Sequence, residues 1–342
     1  MPAPASERPR ALVAPDSFKG TFSAPEVADA IARGLERAGV TADRCPVADG
    51  GEGTLEAIVA ARGGEVVAAP AHDPLGRPLE GCFALLDGGR TALVETATAS
   101  GLALLSAAER DPWTADTYGT GELIRAALDA GAEEVLVAVG GSATVDGGAG
   151  ALRALDERSG GLGGARLVVL CDVTTTWERC AAVYGPQKGA DPAMVARLEA
   201  RLDAQAAALP RDPRGVPSTG GAGGLSGALW AACDAALAPG AAQVLDTVGF
   251  DARLATADAV VCGEGRIDFQ SGEGKIVGEI SARAARAGVP VHALVGCREL
   301  DEDGRRALGL ASIAEATTLA ALEAAGAALG RELLARGVAA AR

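Results

Sequence analysis

Asparagine is missing from this sequence altogether, and histidine occurs only as His72 and His292. Two imidazoles so far apart supply neither a zinc cluster nor a Ser–His–Asp triad. Lysine is nearly missing as well: Lys19, Lys188 and Lys275 stand against 28 arginines. Aromatic residues make up 3%, so the core must be built from Ala, Val, Leu and Ile. No Cys-x-x-Cys pair exists, and the seven cysteines sit mostly in apolar contexts. They read as reduced core residues of a cytoplasmic protein. No run of 18 apolar residues is present, which excludes a transmembrane helix of ordinary length. The opening MPAPASERPR is polar and Pro-rich, the pattern of a loose tail rather than a signal peptide. A basic patch is also lacking; the net charge of −14 and pI of about 4.7 argue against a nucleic-acid partner.

What is present is apolar and rich in glycine. With 342 residues, 49% of them hydrophobic, the chain can bury the cores of two domains. Glycine occurs 47 times, clustered rather than periodic. Residues 11–15 predict a strand, and Ser23 with Glu26 forms a capping box for a helix ended by Gly39. A helix over 54–62 and a strand over 65–69 follow, the alternation of a parallel α/β sheet. Strands at 79–86 and 91–95 flank a hairpin turn at Asp87–Gly89. Beyond them lie a helix at 120–130 capped by Thr120, strands at 135–139 and 167–171, and helices at 192–208 and 222–238. The α/β rhythm returns at 258–262, 276–286, 290–295, 311–314 and 317–336.

The expected fold class is α/β in two domains. A Rossmann- or flavodoxin-like parallel-sheet domain is built from both termini, residues 1–70 plus 251–342, and an α/β domain is inserted at 71–250. A cleft between them would be the default ligand site.

Five Gly-rich segments could offer backbone N–H groups to phosphate: 48–54, 118–122, 140–150, 219–227 and 263–268. Their candidate ligand groups are Gly50, Gly51, Gly119, Thr120, Gly121, Gly140, Gly141, Ser142, Gly147, Gly223, Gly224, Gly263 and Gly265, joined by Asp16 and Ser17. Neither a P-loop nor a G-x-G-x-x-G fingerprint is present, which argues against a P-loop NTPase and an ordinary dinucleotide-binding dehydrogenase. Acids stand beside the same clusters, including Asp49, Glu52, Asp146, Asp172, Glu264 and Asp268. Such acids suit phosphoryl transfer, where some hold Mg²⁺ and one accepts the proton of an attacking hydroxyl. All three lysines lie beside glycine, where a compact point charge suits phosphate and arginine would not substitute. Arg266 and Arg77 could each clamp a carboxylate; His72 reads as a turn residue or hydrogen-bond partner.

Eight segments in order resemble the motifs of the bacterial type I glycerate kinase family. They are APDSFKG (14–20), PVADGGEGT (46–54), ASGLALL (99–105), YGTGELIRAALDAG (118–131), GGSATVDGGAG (140–150), YGPQKGA (184–190), GAGGL (221–225) and GEGRIDFQSGEGK (263–275). The resemblance implies ATP-dependent phosphorylation of D-glycerate with Mg²⁺, giving 2-phosphoglycerate. The alternatives are 3-phosphoglycerate, a related hydroxy-acid substrate, or a binding homologue without turnover. The motif match does not itself assign roles; from the residues, Asp172 or Asp268 is expected to serve as base. Lys19, Lys188, Lys275 and Arg266 neutralise anionic charge. Asp49, Glu52 and Glu264 are the metal candidates. A homo-oligomer is left open. The chain departs from the family pattern in a short 151–166 segment, in TTTWERC at 174–180, and in Val145 and Phe269.

Overall fold

The computed structural model describes residues 8–18, 20–268 and 275–340. Its strands are β1 (Arg10–Pro15), β2 (Thr41–Arg44), β3 (Glu65–His72), β4 (Pro78–Leu86), β5 (Thr91–Glu95), β6 (Glu134–Ala138), β7 (Arg166–Leu170), β8 (Ala236–Ala238), β9 (Ala259–Ile267), β10 (Val291–Arg298) and β11 (Leu310–Glu315). The helices are α1 (Ala24–Ala38), α2 (Thr54–Arg62), α3 (Ala97–Ser100), α4 (Tyr118–Asp129), α5 (Ala149–Asp156), α6 (Cys180–Tyr184), α7 (Pro192–Ala208), α8 (Leu225–Cys233), α9 (Gly240–Thr247), α10 (Phe250–Leu254), α11 (Ile276–Ala287), α12 (Glu302–Ala307) and α13 (Leu319–Ala340). None of the described helices is long and apolar enough to cross a membrane. The chain divides into two compact units.

The first unit comprises 1–49, 56–62 and 244–342. Its sheet runs β2-β1-β9-β10-β11, and every pairing is parallel. Counted within the unit, that order is 2-1-3-4-5, the flavodoxin-like arrangement, with its switch point between β1 and β9. Buried strands such as Ala11–Ala14 and Ala259–Cys262 are apolar throughout because helices cover a parallel sheet on both faces. Ser23 and Glu26 form the expected capping box of α1, and Gly39 closes it in the left-handed region at φ 94°. Helices α1 and α13 touch backbone to backbone: a Cβ on Gly34 would lie 2.0 Å from the Glu323 carbonyl oxygen.

The second unit comprises 50–55 and 63–243. Its sheet runs β3-β4-β5-β6-β7-β8; β3, β4 and β5 are antiparallel, and β5 to β8 are parallel. The strand expected at 65–69 therefore hydrogen-bonds to β4 rather than joining the first sheet. Trp177 anchors a separate buried cluster with Val145, Leu198, Leu202 and Ala228. Two departures from the family pattern, Val145 and the Trp of TTTWERC, thus share one piece of core.

Three local expectations are corrected. The N-cap position of α4 is Thr117, one turn before Thr120, because Asp146 accepts from both the Thr117 N–H and its hydroxyl. The helix expected to run to 238 stops at Cys233. Asp234 turns into the left-handed region at φ 54°, and Ala236–Ala238 pairs with β7. The GEGRID segment opens no helix; residues 263–267 continue β9.

Candidate active site

In the first unit the switch point gathers acids. The Asp16 N–H donates to the Gly263 carbonyl oxygen at 2.8 Å, which fixes the end of β1 beside β9. The following segment runs along β1, since Cys45 N–H donates to the Val13 oxygen and Val47 N–H to the Pro15 oxygen. That course delivers Asp49. A cavity of about 560 Å³ results, lined by Asp16, Ser17, Phe18, Asp49, Glu264, Gly265, Arg266, Asp268, Lys275 and Thr317 among others. Its size is that of a small-molecule site. Eight of the sequence candidates thereby meet in one place: Asp16, Ser17, Asp49, Glu264, Gly265, Arg266, Asp268 and Lys275. Asp16 is buried and accepts the Ser17 N–H at 2.6 Å. Arg266 is exposed and paired with Glu299 at 2.9 Å. Gly263 permits the close run of β9 beside β10, because a Cβ there would lie 2.4 Å from the Leu294 oxygen. Lys19 and Phe269 lie outside the described residues.

In the second unit the candidates cluster at the C-terminal ends of the parallel strands, where α/β sheets bind ligands. Loop 50–53 backs directly on loop 140–142. A Cβ on Gly140 would sit 2.3 Å from the Gly51 Cα, and the Gly140 N–H donates to the Gly50 oxygen at 3.4 Å. Glu52 lies beside Gly141. The Lys188 ammonium is buried and donates to the Ser142 hydroxyl at 2.8 Å and to the Thr144 carbonyl oxygen at 2.7 Å. Burial pushes its pKa down to about 8. Asp172 follows β7, and both carboxylate oxygens accept the Ala241 N–H at 3.1 Å, at the start of α9.

The other candidates of this unit are packed into its interior. Asp146 accepts four donors, from Thr117 (N–H and hydroxyl), Gly148 and Gly150, at 2.8–3.1 Å, and burial raises its pKa. Thr120 donates to the Ser100 hydroxyl at 2.8 Å. A Cβ on Gly119 would meet the His72 carbonyl oxygen, and one on Gly121 would meet Ala151. A Cβ on Gly223 would meet the Thr144 carbonyl oxygen, one on Gly224 would lie 2.8 Å from the Gly147 Cα, and one on Gly147 would meet the Gln205 side chain. Gly119, Gly121, Gly223 and Gly224 each let two pieces of main chain approach closely.

His72 is a hydrogen-bond partner, its Nδ1 lying 2.9 Å from the Glu122 carboxylate. Arg77 is engaged by Asp73 at 2.5 Å and Glu109 at 2.6 Å. All seven cysteines are free, and burial raises Cys171, Cys180 and Cys262 to about 12. The sequence reading missed Glu95. This residue ends β5, and its carboxylate holds the N-terminus of α2. Its only sequence signal was an acid at a strand end, outside every Gly-rich cluster.

Among the described residues no group of three or more His, Cys, Asp or Glu is arranged as a ready metal cluster. The donors in the first cavity are nonetheless carboxylate oxygens, the type that Mg²⁺ takes one or two at a time while keeping its waters. Asp49 and Glu264 fit that requirement and share the cavity. Glu52 falls in the second unit.

The model of the glycerate kinase family matches residues 11–160 and 156–340. A glycerate kinase from Bacillus subtilis is 39% identical over 328 residues, covering 85% of this chain and 86% of its own. A glycerate 2-kinase from Escherichia coli K12 is 37% identical over 321 residues, covering 83% and 84%. A crystal structure described as glycerate kinase 2, from Salmonella typhimurium LT2, superposes with a TM-score of 0.83 at 34% identity. It covers 96% of this chain and 99% of that one.

Proposed function

Because the chain belongs to the glycerate kinase family, we propose that it transfers the γ-phosphoryl group of ATP to a hydroxyl of D-glycerate, giving 2-phosphoglycerate. The 2-position follows the relative named glycerate 2-kinase. The observation that carries the mechanism is the first-unit cavity, where four carboxylates and two cations meet at the sheet's switch point.

In this reading the glycerate hydroxyl attacks the γ-phosphorus in line, the bond to the bridging β–γ oxygen breaks, and ADP leaves. Asp268 takes the hydroxyl proton. Asp172 is the weaker candidate for that role, because it does not line that cavity. Lys275 and Arg266 face anionic oxygens in the same cavity. Asp49 and Glu264 would hold Mg²⁺, which would offset charge on the phosphates. Ser142 and the Gly141 backbone supply neutral donors in the second unit, with Lys188 bracing that loop through Ser142 and Thr144. Such catalysis is positioning and electrostatics. The free thiols, four of them buried, suit a reducing cytoplasm.

The test is ADP release with ATP, Mg²⁺ and a panel of D-glycerate, L-glycerate, glycolate, lactate and tartronate, with the product read by ³¹P NMR. Turnover on D-glycerate with a 2-phosphoglycerate signal is expected. A 3-phosphoglycerate signal would overturn the position. Turnover confined to another acid would overturn the substrate.

A further inference from the structure

The Gly-rich loop before α2 is one of the phosphate-site candidates, yet the structure fills its N-terminus from within. The Glu95 carboxylate, 4% exposed, accepts the Gly53 N–H at 2.9 Å through one oxygen and the Leu55 N–H at 3.0 Å through the other. A helix N-terminus offers such N–H groups and a partial positive charge to any anion. Here the anion is a side chain from 40 residues away.

We infer that Glu95 is a positioning residue: it occupies the anion site of α2 and thereby fixes loop 50–55 against loop 140–142. Three observations support this. The two bonded N–H groups bracket Thr54, whose hydroxyl donates back to the Gly51 oxygen at 2.7 Å, so the turn is tied at both ends. Gly51 in turn lies against Gly140, with no room for a Cβ between them. The next residue after Glu95, Thr96, donates its N–H to the Ala138 oxygen at the end of β6, just before that second loop. One buried carboxylate therefore sets the height of both loops above β5 and β6. The Gly53 and Leu55 amides then bind no substrate phosphate. The inference rests on the proposed kinase reading for its catalytic consequence alone.

Glu95→Gln and Glu95→Ala test it. Both should keep the wild-type far-UV circular dichroism. Amide hydrogen exchange should accelerate in 50–55 and in 140–142. A loop displacement of about 1 Å should lower kcat roughly 10- to 100-fold while KM for ATP moves less than about threefold. Formate at high concentration should partly restore kcat to Glu95→Ala, since it refills a carboxylate site, and should not restore Glu95→Gln. Unchanged exchange and kcat in both variants would overturn the inference. So would protection of 50–55 by inorganic phosphate in the wild type, which would mean that phosphate displaces Glu95. Should Glu95→Ala fail to fold, the isosteric Glu95→Gln carries the test. A wild type that turns over none of the acids would sink the kinase reading, while exchange in 50–55 would still decide the role of Glu95.

Discussion

The two units use the same kinds of residue in opposite ways. In the first, Asp16, Asp49, Glu264, Asp268, Arg266 and Lys275 face a cavity of about 560 Å³. In the second, four charged side chains are engaged by the protein's own backbone and hydroxyls. Asp146 has its four donors, Asp172 the Ala241 amide, Glu95 the α2 amides and Lys188 a hydroxyl and a carbonyl. An acid beside a Gly-rich turn can therefore line a cavity or brace a loop, and the difference lies in where the fold places it. Buried polar groups must find partners.

This contrast can be broken by substitution, and the largest effect should come from the backbone. Gly140→Ala must displace loop 50–53 or its own loop, because the new Cβ would lie 2.3 Å from Gly51. Its kcat should fall by about 100-fold or more, since a shift of about 1 Å at a reacting centre costs that much. Steady-state ADP release measures it. Lys275→Ala should follow, with a loss of roughly 10²–10³ in kcat and an unchanged thermal midpoint. A wild-type rate in that variant would remove Lys275 from the site.

The packed interior of the second unit should answer in stability. Trp177→Ala empties the centre of the cluster shared with Val145 and should cost about 3–5 kcal/mol in chemical denaturation. Lys188 sharpens the contrast through pH. Its pKa of about 8 lies below the ordinary lysine value of 10.5, so between them the unfolded chain binds more protons than the folded one. This group's contribution to stability therefore rises with pH across that window. Activity should move the other way, because the ammonium bracing Ser142 and Thr144 is lost above about pH 8. Lys188→Arg, which stays charged, should shift the alkaline limb of the rate profile upward.

Much of this was legible in the sequence, for identifiable reasons. Continuous apolar runs such as 11–15 and 135–139 announce buried parallel strands, and the Ser23–Glu26 box fixes a helix start. The strand β2, TADR, carries no apolar alternation and exists only because β1 pairs with it. Helix α8 ends where Asp234 turns left-handed, a feature that composition hides. The site was half legible. Gly-rich turns beside acids marked the right loops, but sequence alone does not tell a carboxylate lining a cavity from one capping a helix. Asp172 and Asp268 looked alike for that reason. Glu95 stayed hidden because its partners lie 40 residues upstream.

The most direct test sets those two aspartates side by side, measuring glycerate-dependent ADP release and thermal midpoint for Asp268→Asn and Asp172→Asn. The division of labour predicts that Asp268→Asn loses about 100-fold or more in kcat with its midpoint intact. It predicts that Asp172→Asn loses about 0.5–2 kcal/mol of stability, as a weakened cap does, with kcat within about threefold of wild type. The reverse pattern, an inactive but stable Asp172→Asn beside a fully active Asp268→Asn, would contradict the account and move the base into the second unit.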